Sequence, residues 1–134
     1  MSLPDNTQAY TEIPAVGVAL EQNPQSAAAL NAFGSAMVEE GDCTRAMEAV
    51  NKLTELNERA PELCYNVGLL LQREGRHEDA ANLLRRAVEA RPGFGEALLN
   101  LGNSLSSLGR EAEAKDCWRA AVEAQPELAA RFVK

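Results

Sequence analysis

The sequence predicts an all-α protein, a solenoid of three helical hairpins, and three observations carry the prediction. Gly34, Gly68 and Gly102 stand 34 residues apart. Gly41, Gly75 and Gly109 repeat at the same interval, as do Ala46, Ala80 and Ala114, and the bulky residues Val50, Leu84 and Trp118 follow in step. On either side of the second glycine of each unit, apolar residues fall at helical spacing; Cys64, Val67, Gly68 and Leu71 occupy i, i+3, i+4 and i+7, and Ala80, Leu83, Leu84, Ala87 and Val88 do so afterwards. A fixed period of this length marks a chain in which each unit buries its apolar face against the next.

Taken in order, residues 1–13 are polar and patternless and are expected to be disordered or vector-derived. Residues 14–26 align at three periods with the second helix of the last unit, through Ala19-Leu20-Glu21 and Pro24, and predict a degenerate half-repeat that caps the stack. The hairpins follow at 27–60, 61–94 and 95–128, and residues 129–134 begin a C-terminal cap or a truncated fourth unit. Gly41, Gly75 and Gly109 suit left-handed caps that end each first helix, because glycine takes positive φ without a side-chain clash. Pro92 and Pro126 should stop the second helices just ahead of them. The first unit departs from the others: Leu53 stands where they have Ala87 and Ala121, and Glu58 where they have proline, so its second helix is expected to run longer or to tilt.

These columns resemble the tetratricopeptide repeat, a 34-residue helix-turn-helix. The third unit matches through Leu98, Leu101, Gly102, Leu105, Ala114, Trp118, Ala121 and Pro126. The second matches through Cys64, Val67, Gly68, Leu71, Ala80, Leu84, Ala87 and Pro92, and the first through Leu30, Phe33, Gly34, Met37, Ala46 and Val50. The resemblance spans about residues 14–134 and implies a right-handed superhelix whose first helices line a concave surface, in a class of protein-binding scaffolds.

With 134 residues, 46% hydrophobic and 25% charged, the chain has ordinary globular usage and one-domain length. A formal net charge of −7 is the wrong sign for a phosphate backbone or an anionic membrane, so neither nucleic acid nor membrane is an expected partner. No apolar run approaches a membrane span and no secretory leader precedes the repeats, so a cytoplasmic location is expected. Cys43, Cys64 and Cys117 are odd in number and widely spaced, which opposes a disulfide framework and fits a reducing compartment.

Catalytic chemistry finds no foothold. His77 is the single histidine, expected at the surface at the start of a second helix, so neither a histidine-based triad nor a multi-histidine metal site is predicted. The glycines are explained by the repeat and form no phosphate-binding loop, and no cofactor is expected. Cys64 and Cys117 fall on packing columns, leaving Cys43 as the candidate reactive thiol. The protein is read as a non-enzyme.

Binding is expected on the first helices. By the family resemblance, Asn31 and Ser35 of the first unit, Tyr65, Asn66 and Leu69 of the second, and Leu99, Asn100 and Asn103 of the third line the concave face and hold an extended peptide segment of a partner protein. Asn66 and Asn100, one period apart, suit a peptide backbone because an amide donates and accepts at once. Chaperone-binding members clamp a carboxylate terminus with basic and amide residues, at places that here hold Asn31, Ser35, Asn66, Glu96 and Asn100. Glu96 replaces a cation with an anion and no basic residue replaces it, so a carboxylate-ended peptide should bind poorly. The asparagines look more like the ladder in the repeats of O-linked N-acetylglucosamine transferase. A rival reading is homo-oligomerisation through an exposed last face carrying Leu128, Phe132 and Val133. Another is a substrate-docking domain of a larger enzyme, such as a glycosyltransferase or methyltransferase.

Overall fold

A computed structural model describes residues 26–132. Six α-helices follow one another, α1 (Ala27–Glu40), α2 (Cys43–Glu55), α3 (Pro61–Arg73), α4 (His77–Ala90), α5 (Gly95–Ser107) and α6 (Glu111–Ala124), then a 3₁₀ segment, Pro126–Phe132. No strand occurs among the described residues. Except for Ser26, the expected cap helix at 14–26 lies outside them, as does Val133. The described residues divide into two compact units, one ending at Ala60 and the other beginning at Pro61.

The first helix of every hairpin ends in the same way. Gly41, Gly75 and Gly109 take φ of 78°, 79° and 80°. Each donates its N–H to the carbonyl three residues back, while the following N–H bonds five back, as in Gly75 to Gln72 at 3.0 Å and Arg76 to Leu71 at 2.9 Å. This pair of bonds satisfies carbonyls that a helix end leaves orphaned. Nothing stands within 4 Å of where a Cβ would be built on these glycines, so the dihedral, not crowding, selects them.

Helix starts use side chains. Ser26 Oγ accepts from the Ala29 N–H at 3.2 Å and Asp42 Oδ1 from the Arg45 N–H at 3.0 Å. One and two periods on, the capping place holds Arg76 and Arg110, which instead pair with Asp79 at 2.9 Å and Glu113 at 2.8 Å. The Asp42–Arg45 pair of the first unit is thus reversed in polarity in the other two.

Within the first unit, α2 does not run longer as expected. It stops at Glu55, one residue short of the place where α4 stops, because Asn57 adopts φ 60° and repeats the glycine cap. Asn57 donates to Thr54 and Glu58 to Leu53, both at 2.9 Å. Asparagine tolerates this conformation better than most side chains, so the helix ends here without a proline. Pro61 lies beyond the break and opens α3 as its first residue, where its missing N–H costs nothing.

In the second unit, α4 and α6 end just ahead of Pro92 and Pro126, as the sequence predicts. Gly68 lies under Leu84: a Cβ there would come 2.7 Å from Leu84 Cγ. Gly102 lies under the Trp118 indole and a Cβ would also meet the Ala114 carbonyl at 3.0 Å. Small residues at these places let the paired helices approach closely. Ala81, Leu84, Leu101, Leu105 and Ala114 form one core cluster, and Leu98, Leu99, Ala121 and Leu128 a second.

Candidate functional site

The face formed by α3 and α5 is held at a fixed spacing by a buried polar tie. Gln72 Nε2 on α3 donates to the Ser104 Oγ at 2.7 Å and to the Asn100 carbonyl oxygen at 2.8 Å on α5. Ser104 is 0% exposed, and its hydroxyl would be costly to bury without that partner. Helix packing accounts for a serine on an otherwise apolar stripe only once Gln72 is placed beside it, so sequence reasoning missed it.

The predicted residues divide. Asn66 is exposed on α3, and Tyr65 and Leu69 flank it half-buried. The Tyr65 ring rests against Phe94 with centroids 4.9 Å apart, and the Arg91 guanidinium lies 4.8 Å from the Phe94 centroid. Arg91 also faces Glu62 at 3.7 Å. Asn103 is exposed on α5, its Oδ1 accepting from Trp118 Nε1 at 3.0 Å, which directs its amide donors outward. Asn31 and Ser35 are exposed one turn apart on α1 in the first unit.

Among the groove residues of α5, two expectations need correction. Leu99 is 5% exposed and belongs to the core cluster with Leu98, Ala121 and Leu128, so it cannot pack against a bound side chain. Asn100 is half-buried and spends a donor on the Glu96 carbonyl at 2.9 Å, one turn back in its own helix. It is therefore not an open rung equivalent to Asn66.

The largest difference lies at Glu96. No basic neighbour was expected, yet Arg131 of the 3₁₀ segment reaches both carboxylate oxygens at 2.8 Å. The two parallel bonds are the fork arrangement that suits a planar guanidinium. An Arg after a proline-broken helix was visible in the sequence, but continuing the repeat register would have pointed it elsewhere. The 3₁₀ turn redirects it. Burial pushes the Tyr65 phenol up from its ordinary range; Glu96 adds to the rise and Arg131 opposes it. The Glu96 N–H is capped at 3.2 Å by Gln125 Oε1, whose side chain lies where a Cβ on residue 95 would stand, so a larger residue there would displace Gln125 from its cap.

At the far end, Leu128 is 3% exposed and packed into the second core cluster, which corrects its expected place on an open face. Phe132 is 43% exposed, with its ring centroid 6.0 Å from that of Trp118. His77 is half-buried rather than at the surface, and its Nδ1 is enclosed without a hydrogen-bond partner. Cys64 is buried and Cys43 and Cys117 are half-buried, all as free thiols. Burial pushes the Cys64 and Cys117 thiols up. No cluster of three or more metal-ligating side chains occurs among the described residues, and no helix among them is long and apolar enough to cross a membrane.

Hairpins of this kind, repeated every 34 residues, define a helical-repeat fold. Residues 71–132 match the tetratricopeptide repeat family. Solved structures agree on the fold. A crystal structure of MamA superposes with a TM-score of 0.75 at 21% identity, covering 94% of this chain and 76% of that one. A second MamA crystal structure gives 0.68 at 23% identity, covering 96% and 74%. No protein of curated function matches the sequence.

Proposed function

We propose that the protein is a non-catalytic scaffold that holds an extended segment of a partner protein against the α3/α5 face of its second unit. The observation that carries this reading is the presence of two exposed amides, Asn66 on α3 and Asn103 on α5, on helices tied together by Gln72 and Ser104. An amide serves a peptide carbonyl or N–H equally well, which suits backbone recognition. Tyr65 and Leu69 supply apolar surface beside them. The Glu96–Arg131 pair adds one charge of each sign, so the lining stays close to neutral and binding should depend only modestly on salt. A peptide ending in carboxylates has to displace Glu96 from Arg131 and should bind poorly. In the first unit, taken by itself, Asn31 and Ser35 offer an exposed amide and hydroxyl of the same kind. The free thiols suit a reducing compartment, and a cytoplasmic site of action belongs to this reading.

The test is selection of binding peptides from a random display library, followed by titration of one into isotope-labelled protein. Amide shifts should concentrate on α3 and α5 around Tyr65, Asn66, Leu69 and Asn103. Shifts confined to the outward face of α4 would refute the reading.

Self-association is the second reading, favoured by a single observation: Phe132 is the exposed large hydrophobic residue among the described ones.

A further inference from the structure

Trp118 and Val122 on α6 stand one period after Leu84 and Val88 on α4. On α4, Leu84 is enclosed in one core cluster with Leu101 and Leu105, and half-buried Val88 packs against the cluster that holds Leu98 and Leu99. On α6 the covering is incomplete. Phe132, in the column of Leu98, lies against Trp118, and a depression of about 340 Å³ remains, lined by Trp118, Arg119, Val122, Glu123 and Phe132.

We infer that this depression takes a second copy of the chain, the two α6 helices packing antiparallel about a twofold axis at the level of Ala121. The inference deepens the self-association reading and rests on it, independently of the peptide face. Charge complementarity selects the occupant. Arg119 and Glu123 border the depression and lie equally far on either side of Ala121, so an antiparallel copy sets each Arg119 opposite the partner's Glu123, twice over. A parallel copy would set like charges together, which opposes association. A head-to-tail copy is disfavoured, because the apolar residues that α1 would have to offer, Leu30, Phe33 and Met37, are already enclosed. The same patch on both copies closes the assembly at two. So small a patch places the dimer in the weak, concentration-dependent class.

Sedimentation equilibrium of the whole chain across a wide concentration range tests this. The weight-average mass should climb from monomer and level off at dimer. Phe132→Glu should weaken association by about tenfold or more, since it sets a charge in the apolar contact. Arg119→Glu and Glu123→Arg should each weaken it, and the double reversal should restore it, with circular dichroism confirming unchanged helicity. A strict monomer at every concentration would overturn self-association and the geometry together. A dimer abolished by Phe132→Glu but indifferent to the charge reversals would overturn the antiparallel arrangement while leaving self-association standing. Mass that climbs past dimer without levelling would overturn the closed twofold assembly.

Discussion

Arg131 and Glu96, 35 residues apart in sequence, meet through two hydrogen bonds of 2.8 Å and so fasten the closing 3₁₀ segment to the start of α5. The pair is partly exposed, with side-chain accessibilities of 53% and 30%, and at such sites an ion pair contributes only about 0–1 kcal/mol. Its electrical effect on Tyr65 is easier to read than its stability. Arg131→Ala removes the group that opposes the rise of the Tyr65 phenol, so the phenol should ionise at still higher pH, whereas Glu96→Gln should bring ionisation earlier. Ultraviolet titration in a Tyr10→Phe background, which leaves Tyr65 as the sole tyrosine, measures both. The raised folded-state value means that Tyr65 contributes stability fully below its ordinary value of 10.0, lost as pH climbs through the folded value.

Close approach of paired helices at Gly68 and Gly102 gives a second expectation. Gly102→Ala sets a methyl group into the Trp118 indole and within 3.0 Å of a backbone oxygen that cannot move aside. Overpacking of this kind costs about 1–3 kcal/mol, and Gly68→Leu, driven into Leu84, should cost at least as much. Thermal unfolding should show both melting well below the parent, while Arg110→Ala, which removes exposed ion pairs to Glu113 and Glu78, stays close to it. Equal losses from all three would contradict the packing.

Thiol reactivity should follow burial. Cys64 is enclosed, and its thiol, like that of half-buried Cys117, is pushed up by desolvation. Since the thiolate is the attacking form, native-state alkylation followed by mass spectrometry should label Cys43 before Cys117 and Cys64 last. Labelling of Cys64 as fast as Cys43 would show that α3 opens more readily than its buried contacts allow.

Legibility in the sequence followed the range of the interaction. The glycine caps at Gly41, Gly75 and Gly109 and the stops ahead of Pro92 and Pro126 obey local rules, and a 34-residue column repeats them until they are unmistakable. The end of α2 was missed because Asn57 does what glycine does elsewhere, a choice that only the backbone dihedral exposes. Register placed Leu99, Asn100 and Leu128 on a helix face without saying what covers it. The 3₁₀ segment does: it carries Leu128 inward onto Leu98 and Leu99, and turns Arg131 back to Glu96. Gln72 and Ser104 illustrate the same limit, since each is an ordinary polar residue until the other is placed beside it.

Of the predicted polar binding residues on α3 and α5, Asn66 and Asn103 remain open, and the central claim is that they hold a partner's backbone. Isothermal titration calorimetry with a peptide selected on the parent protein tests it most directly. Asn66→Ala with Asn103→Ala removes several backbone hydrogen bonds of about 0.5–1.5 kcal/mol each, so Kd should rise roughly tenfold or more with helicity unchanged. Arg85→Glu with Arg86→Glu, on α4, should leave Kd where it was. Affinity indifferent to the double asparagine variant and lost in the double arginine variant would contradict the account.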